Sequence, residues 1–102
     1  MTAIELIAAE RERQVAVEGW TPEHDDKHGR GELLSAAQSY AFAVPKAIAI
    51  QRELIAMDGI ESGPMWPWEP SWWKPSLDPI RNLVKAGALI AAEIDRLQRV
   101  SK

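Results

Sequence analysis

Four of the chain's five tryptophans lie within eight residues, Trp66-Pro67-Trp68-Glu69-Pro70-Ser71-Trp72-Trp73, and Lys74-Pro75 follow at once. Proline-stiffened backbone that holds large amphipathic rings beside a cation suits flat, charged ligands such as nucleotides. Indole faces stack on nucleobases at about 1–3 kcal/mol per base in nucleic-acid sites, and Lys74 supplies a charge for phosphate. The same rings can instead cover helix ends, fill the core or line a subunit interface, as tryptophan often does. The expectation is a division of labour, with at least one ring touching ligand.

A second constellation is Trp20-Thr21-Pro22-Glu23-His24-Asp25-Asp26-Lys27-His28, with Glu32 after it. Imidazole and carboxylate are common metal ligands, and His24, Asp25, Asp26 and His28 have the chemistry for one. Their spacing matches no established metal site, and acidic groups here can equally cap helix starts or pair with cations. No metal is therefore assigned; Trp20, His24 and Asp25 are expected to contact the polar edge of a ligand. The third group is Arg81 and Lys85, four apart and so on one side of a helix. Near that helix's N-terminus they would form a phosphate-binding corner with Lys74, or else a solvated basic edge. No catalytic residue and no cofactor are expected. The chain has no cysteine, its serines sit in no nucleophile motif, and His28-Gly29-Arg30-Gly31 lacks the strand and spacing of a phosphate loop.

The elements that must position these groups are helical. Thr2 and Glu5 make a reciprocal capping box for a helix running to about Glu18, with Ile4, Ile7, Ala8 and Val15 near one face and Glu10 to Gln14 making the middle polar. Gly19 stops it. Thr21-Pro22 suits a single helical turn. A second long helix spans about Gly31 to Ala43, its apolar face set by Leu33, Leu34, Ala37, Tyr40 and Ala41. Val44-Pro45 should bend or break it, and a further helix runs from about Pro45 to Met57, stopped by Asp58-Gly59.

From Gly59 to Pro79 come five of the seven prolines, which predicts an ordered but irregular loop. The last helix is capped by Asp78 with Pro79 in first position, and Ile80, Leu83, Val84, Gly87, Ile90, Ala91, Ile94 and Leu97 follow its period. Ala86-Gly87-Ala88 forms a narrow waist for close helix approach. The predicted fold is thus an all-α, compact bundle of about four helices with an irregular Trp/Pro-rich loop before the last helix, oligomeric, and a single domain over residues 1–102.

Composition bounds the partners. At 102 residues and 46% hydrophobic, a small domain without disulfides gains most from self-association, so a homo-oligomer is expected. A net charge of −3 argues against duplex nucleic acid as a partner. The acidic start of the chain resembles no export signal, and no apolar run approaches membrane-spanning length, so the expected setting is cytoplasmic, without a membrane partner.

Taken together, Glu10-Arg11-Glu12-Arg13-Gln14, Glu18-Gly19-Trp20-Thr21-Pro22-Glu23-His24-Asp25-Asp26, Gly31-Glu32-Leu33, Trp66-Pro67-Trp68, Trp72-Trp73-Lys74-Pro75 and Leu83-Val84-Lys85-Ala86-Gly87-Ala88-Leu89-Ile90 resemble a family of small proteins common in phage and prophage genomes. The resemblance implies a phage accessory protein in the cytoplasm of the infected bacterial host. By type, it is similar to phage sponges that sequester nucleotide-derived immune signals, such as cyclic ADP-ribose-type signals, other TIR products or cyclic oligonucleotides, without cleaving them. Gly31-Glu32-Leu33, Glu93 and Asp95 resemble the carboxylate helices of the all-α, MazG-like nucleotide pyrophosphohydrolases. However, Glu93 and Asp95 are two apart and face different ways, and several oxygen ligands for magnesium cannot be assembled. A third possibility is an inhibitor whose tryptophans anchor on a host defence protein.

Overall fold

The computed structural model describes residues 1–57 and 59–100. The helices are α1 (Ala3–Ala16), α2 (Pro22–Asp25), α3 (Glu32–Phe42), α4 (Val44–Gln51) and α5 (Pro79–Val100), with a 3-10 turn at Pro70–Trp72. No strand occurs among the described residues. The all-α fold of about four substantial helices is as predicted, with α2 a single turn.

Local chemistry sets most helix starts. Thr2 and Glu5 make the capping box on α1, and the Thr21 hydroxyl accepts from His24 N–H ahead of Pro22. At α5 the Asp78 carboxylate accepts from Ile80 N–H at 2.9 Å. Gly19 ends the α1 turn with φ 74, a conformation that favours glycine, and Trp20 N–H returns to the Gln14 carbonyl.

The core is the contact of α3 with α5: Leu33, Ala36, Ala37 and Tyr40 pack on Ala86, Leu89 and Ala92, and Trp20, Trp66, Trp68 and Trp73 lean against this cluster. α1 closes the other side of α5. Ile7 packs on Gly87, where an added Cβ would lie 2.7 Å from Ile7 Cδ1, so the narrow waist does serve close helix approach.

Four expectations need correction. The expected division at Val44-Pro45 is present, α3 ending at Phe42 and α4 opening at Val44, but it does not shorten the apolar run as expected. Ala43 stays right-handed with φ −73 and ψ −16, and Pro45 falls in the first turn of α4, where its missing N–H costs little. The resulting segment Glu32–Gln51 is long and apolar enough to cross a membrane by length and composition, and half of its most apolar stretch is buried in the fold. Next, α4 ends at Gln51 rather than near Met57. Leu54, Ile55 and Met57 find no core and stay exposed, and Glu53 adopts φ 59; Asp58, part of the expected stop, lies outside the described residues. Third, the polar middle of α1 points inward: Glu10 and Gln14 are buried, whereas Ile4 is exposed. Finally, of the apolar period on α5, Val84 is buried while Ile80, Leu83, Ile90, Ile94 and Leu97 are exposed.

Candidate functional site

The 3-10 turn decides what the Trp/Pro loop presents. Pro70 opens it, and Trp72 N–H and Trp73 N–H close onto the carbonyls of Glu69 and Pro70 at 3.0 and 3.1 Å. Trp73 is half-buried and donates Nε1–H to the Ile60 carbonyl at 2.8 Å, with its ring 4.6 Å from that of Tyr40. Trp66 donates to the Glu69 carbonyl at 3.0 Å and packs edge-on against Tyr40, Trp68 and Trp73. These two tryptophans hold the loop to the core. Trp72 is the exposed member of the set.

The other rings form a cleft of about 480 Å³, within the range of small-molecule sites. Its wall is a closed circuit. Trp20 lies nearly parallel to His24, with centroids 6.1 Å apart. His24 meets His28 at 4.8 Å, His28 meets Trp68 at 5.3 Å, and Trp68 returns to Trp20 at 5.8 Å. Trp72, Pro67, Glu18 and Glu69 complete the lining. The Trp68 Nε1–H is buried and has no hydrogen-bond partner.

A smaller recess of about 20 Å³ shares Glu18, Trp20 and Trp72 with the cleft and adds Arg13, Lys74 and Lys85. Lys74 Nζ is 3.7 Å from Glu18, and the Lys74 backbone N–H donates to the Tyr40 hydroxyl. Lys85 donates to the Lys74 carbonyl at 2.6 Å, its ammonium 5.4 Å from the centre of the Tyr40 ring. Burial, helped by the nearby Arg81 charge, pushes the Lys85 pKa down. Burial likewise pushes the Tyr40 hydroxyl up.

Beneath the recess lies a charge network that the sequence reading did not identify. Glu10 accepts from Arg13 Nε and Nη2 at 2.7 and 2.9 Å and from Gln14 at 3.2 Å, and pairs closely with Arg81. Burial alone would raise its pKa; the hydrogen bonds from Arg13 and the charges of Arg81 and Arg13 outweigh this and lower it. Arg13 also reaches Glu18 at 3.1 Å. The Gln14 Oε1, buried at the edge of the recess, has no donor. The spacing of Glu10 and Gln14 on one side of α1 was a visible signal, but their inward direction was not.

The predicted site residues therefore divide. Trp20, His24, Trp68 and Trp72 line the cleft, and Lys74 and Lys85 line the adjoining recess. Trp66 and Trp73 stand behind them. Asp25 lines neither space: it is fully buried, bound by Arg11 at 2.6 Å, and lies 3.3 Å from His24 Nδ1, so it orients His24. Arg81 is held by Glu10 outside both linings. Asp26 pairs with Arg99 at 2.7 Å and His28 with Glu32 at 3.3 Å. Among the described residues, no three His, Asp or Glu side chains converge as metal ligands. Comparison with family models, curated proteins and solved structures yields no match to this chain.

Proposed function

We propose that the protein binds a nucleotide-derived signal and withholds it without cleaving it, as a phage accessory protein countering a defence response in the host cytoplasm. The observation that carries this reading is a ring-walled cleft beside a cation-bearing recess, with Glu18, Trp20 and Trp72 lining both. A base stacks against the indoles of the cleft. His24, His28 and Glu18 offer hydrogen bonds to its edge or to a ribose. The anionic group points to Lys74 and Lys85; an ammonium has three donors, so the Lys74 carbonyl leaves Lys85 with capacity for phosphate.

The test is titration with cyclic ADP-ribose and with a cyclic dinucleotide, followed by tryptophan fluorescence and calorimetry. Saturable quenching is expected, with intact ligand returned after heat denaturation. A cleaved product would replace this reading with an enzyme, and pyrophosphate release from nucleoside triphosphates with magnesium would specify the pyrophosphohydrolase. No binding of either probe, together with a stable complex with a host protein, would favour the protein inhibitor.

A further inference from the structure

The apolar stripe on α5 has the period of a coiled-coil seam. Ile80, Leu83, Gly87, Ile90, Ile94 and Leu97 are separated by alternating steps of three and four, the spacing that keeps one line of a helix against another helix. In the folded chain this line faces outward: Ile80 is 61% exposed, Leu83 52%, Ile90 44% and Ile94 51%. The core instead takes Val84, Ala86, Ala88, Leu89 and Ala92 from the remaining sides of the same helix. At Gly87, Ile7 of α1 fills the space a side chain would take, so the stripe is apolar there too. Ile7 at Gly87 and Glu10 at Arg81 make α1 antiparallel to α5, and the exposed Ile4 extends the surface on the side of Ile90 and Ile94.

We infer that this face is the interface between two copies of the chain, paired α5 to α5. A helix of 22 residues is about 33 Å long, and no charged residue interrupts the line from Ile80 to Leu97. A 3,4 repeat is complementary to itself, as a two-fold interface requires. The seam with its α1 margin offers roughly several hundred Å² per subunit, near the small end of specific interfaces. A lipid surface fits less well. Around the stripe α5 carries Glu93 and Asp95, Arg99 is held by Asp26, and the chain's net charge is −3, unlike the basic flank of helices that lie on anionic membranes.

The inference does not use the ligand reading, and its test is separate. Sedimentation of the chain at about 100 µM, a concentration that populates interfaces of micromolar or tighter affinity, should report twice the 11.4 kDa chain mass. Ile94→Glu should weaken association by about a hundredfold or more, because each copy then buries an unpaired charge, while far-UV circular dichroism stays unchanged. Ile48→Glu, on the exposed surface of α4, should remain dimeric. The chain has no cysteine, so Ile90→Cys carries a single thiol near the middle of the seam, and a short bis-maleimide should join two copies of it faster than two copies of Ile48→Cys, a comparably exposed position on α4. A wild-type chain that sediments as a monomer, an Ile94→Glu variant that keeps the dimeric mass, or an Ile90→Cys variant that cross-links no faster than Ile48→Cys would each overturn the inference. If Ile94→Glu fails to fold, the cross-link decides.

Discussion

Replacing Glu10 with alanine should cost more stability than replacing any cation that surrounds it. The Glu10 side chain is 0% exposed, whereas those of Arg13 and Arg81 are each 36% exposed. Removing one partner from a buried ion pair costs about 3–5 kcal/mol. Here the two stranded guanidiniums recover part of their hydration, which reduces the figure to about 2–3 kcal/mol. For a domain of this size, that corresponds to a fall in melting temperature of roughly 10–20 °C. Glu10→Gln, which keeps an acceptor but not the charge, should fall between Glu10→Ala and wild type. The assay is thermal unfolding by circular dichroism at fixed protein concentration, since association would shift the midpoint by mass action. The pH dependence has a definite sign. The folded-state pKa of Glu10 lies below 4.5, so its stabilisation is fully present above that value and is lost as pH falls through the folded-state pKa. The gap between wild type and Glu10→Gln should therefore narrow on acidification. A Glu10→Ala chain that melts within a few degrees of wild type, or a gap that widens in acid, would refute the claim that Glu10 anchors Arg13 and Arg81.

The tryptophans and Lys85 provide the remaining tests. Trp72→Ala should reduce ligand affinity by about 1–3 kcal/mol while leaving stability within about 0.5 kcal/mol; calorimetry showing unchanged affinity would remove the cleft as the binding site. Trp73→Ala should do the reverse in kind, lowering stability by about 3 kcal/mol through the lost ring packing, as read by urea unfolding. Lys85→Met keeps the apolar stem and should weaken a phosphate-bearing ligand by about tenfold, the scale of one charge-assisted hydrogen bond. Because burial holds the Lys85 pKa below 10.5, wild type should gain stability as pH rises from the folded-state value to 10.5, and Lys85→Met should lack that gain in alkaline urea titrations.

What was legible in the sequence was local. Thr2 with Glu5, Thr21 with Pro22, and Asp78 with Pro79 each complete their interactions within one turn, so neighbouring residues suffice to place the helix starts. The end of α4 was not legible. Leu54, Ile55 and Met57 extend the apolar composition past Gln51, but whether a helix continues there depends on a surface to pack against, and they have none. The inward turn of Glu10 was hidden for the same reason, since Arg81 is 71 residues away. Trp72 and Trp73 make the point at single-residue scale. They are adjacent and chemically identical, and the 3-10 turn sends one to the core and the other toward solvent.

The distribution of charge sharpens which ligands suit the proposed reading. A basic corner built from Lys74, Arg81 and Lys85 would favour ligands in proportion to their phosphate content, but these cations are not equally available. Glu10 holds Arg81, Glu18 stands near Lys74, and the cleft itself presents Glu18 and Glu69. The recess beside the rings, about 20 Å³, holds little more than a water, so phosphate reaches Lys74 and Lys85 only from its mouth, where Glu18 and Glu69 repel each added charge. Selection then rests on the shape of the base against the rings and on a low phosphate charge near Lys74 and Lys85. Those requirements suit a cyclic or otherwise compact nucleotide better than a nucleoside triphosphate, which is why the binding reading is preferred to the pyrophosphohydrolase reading.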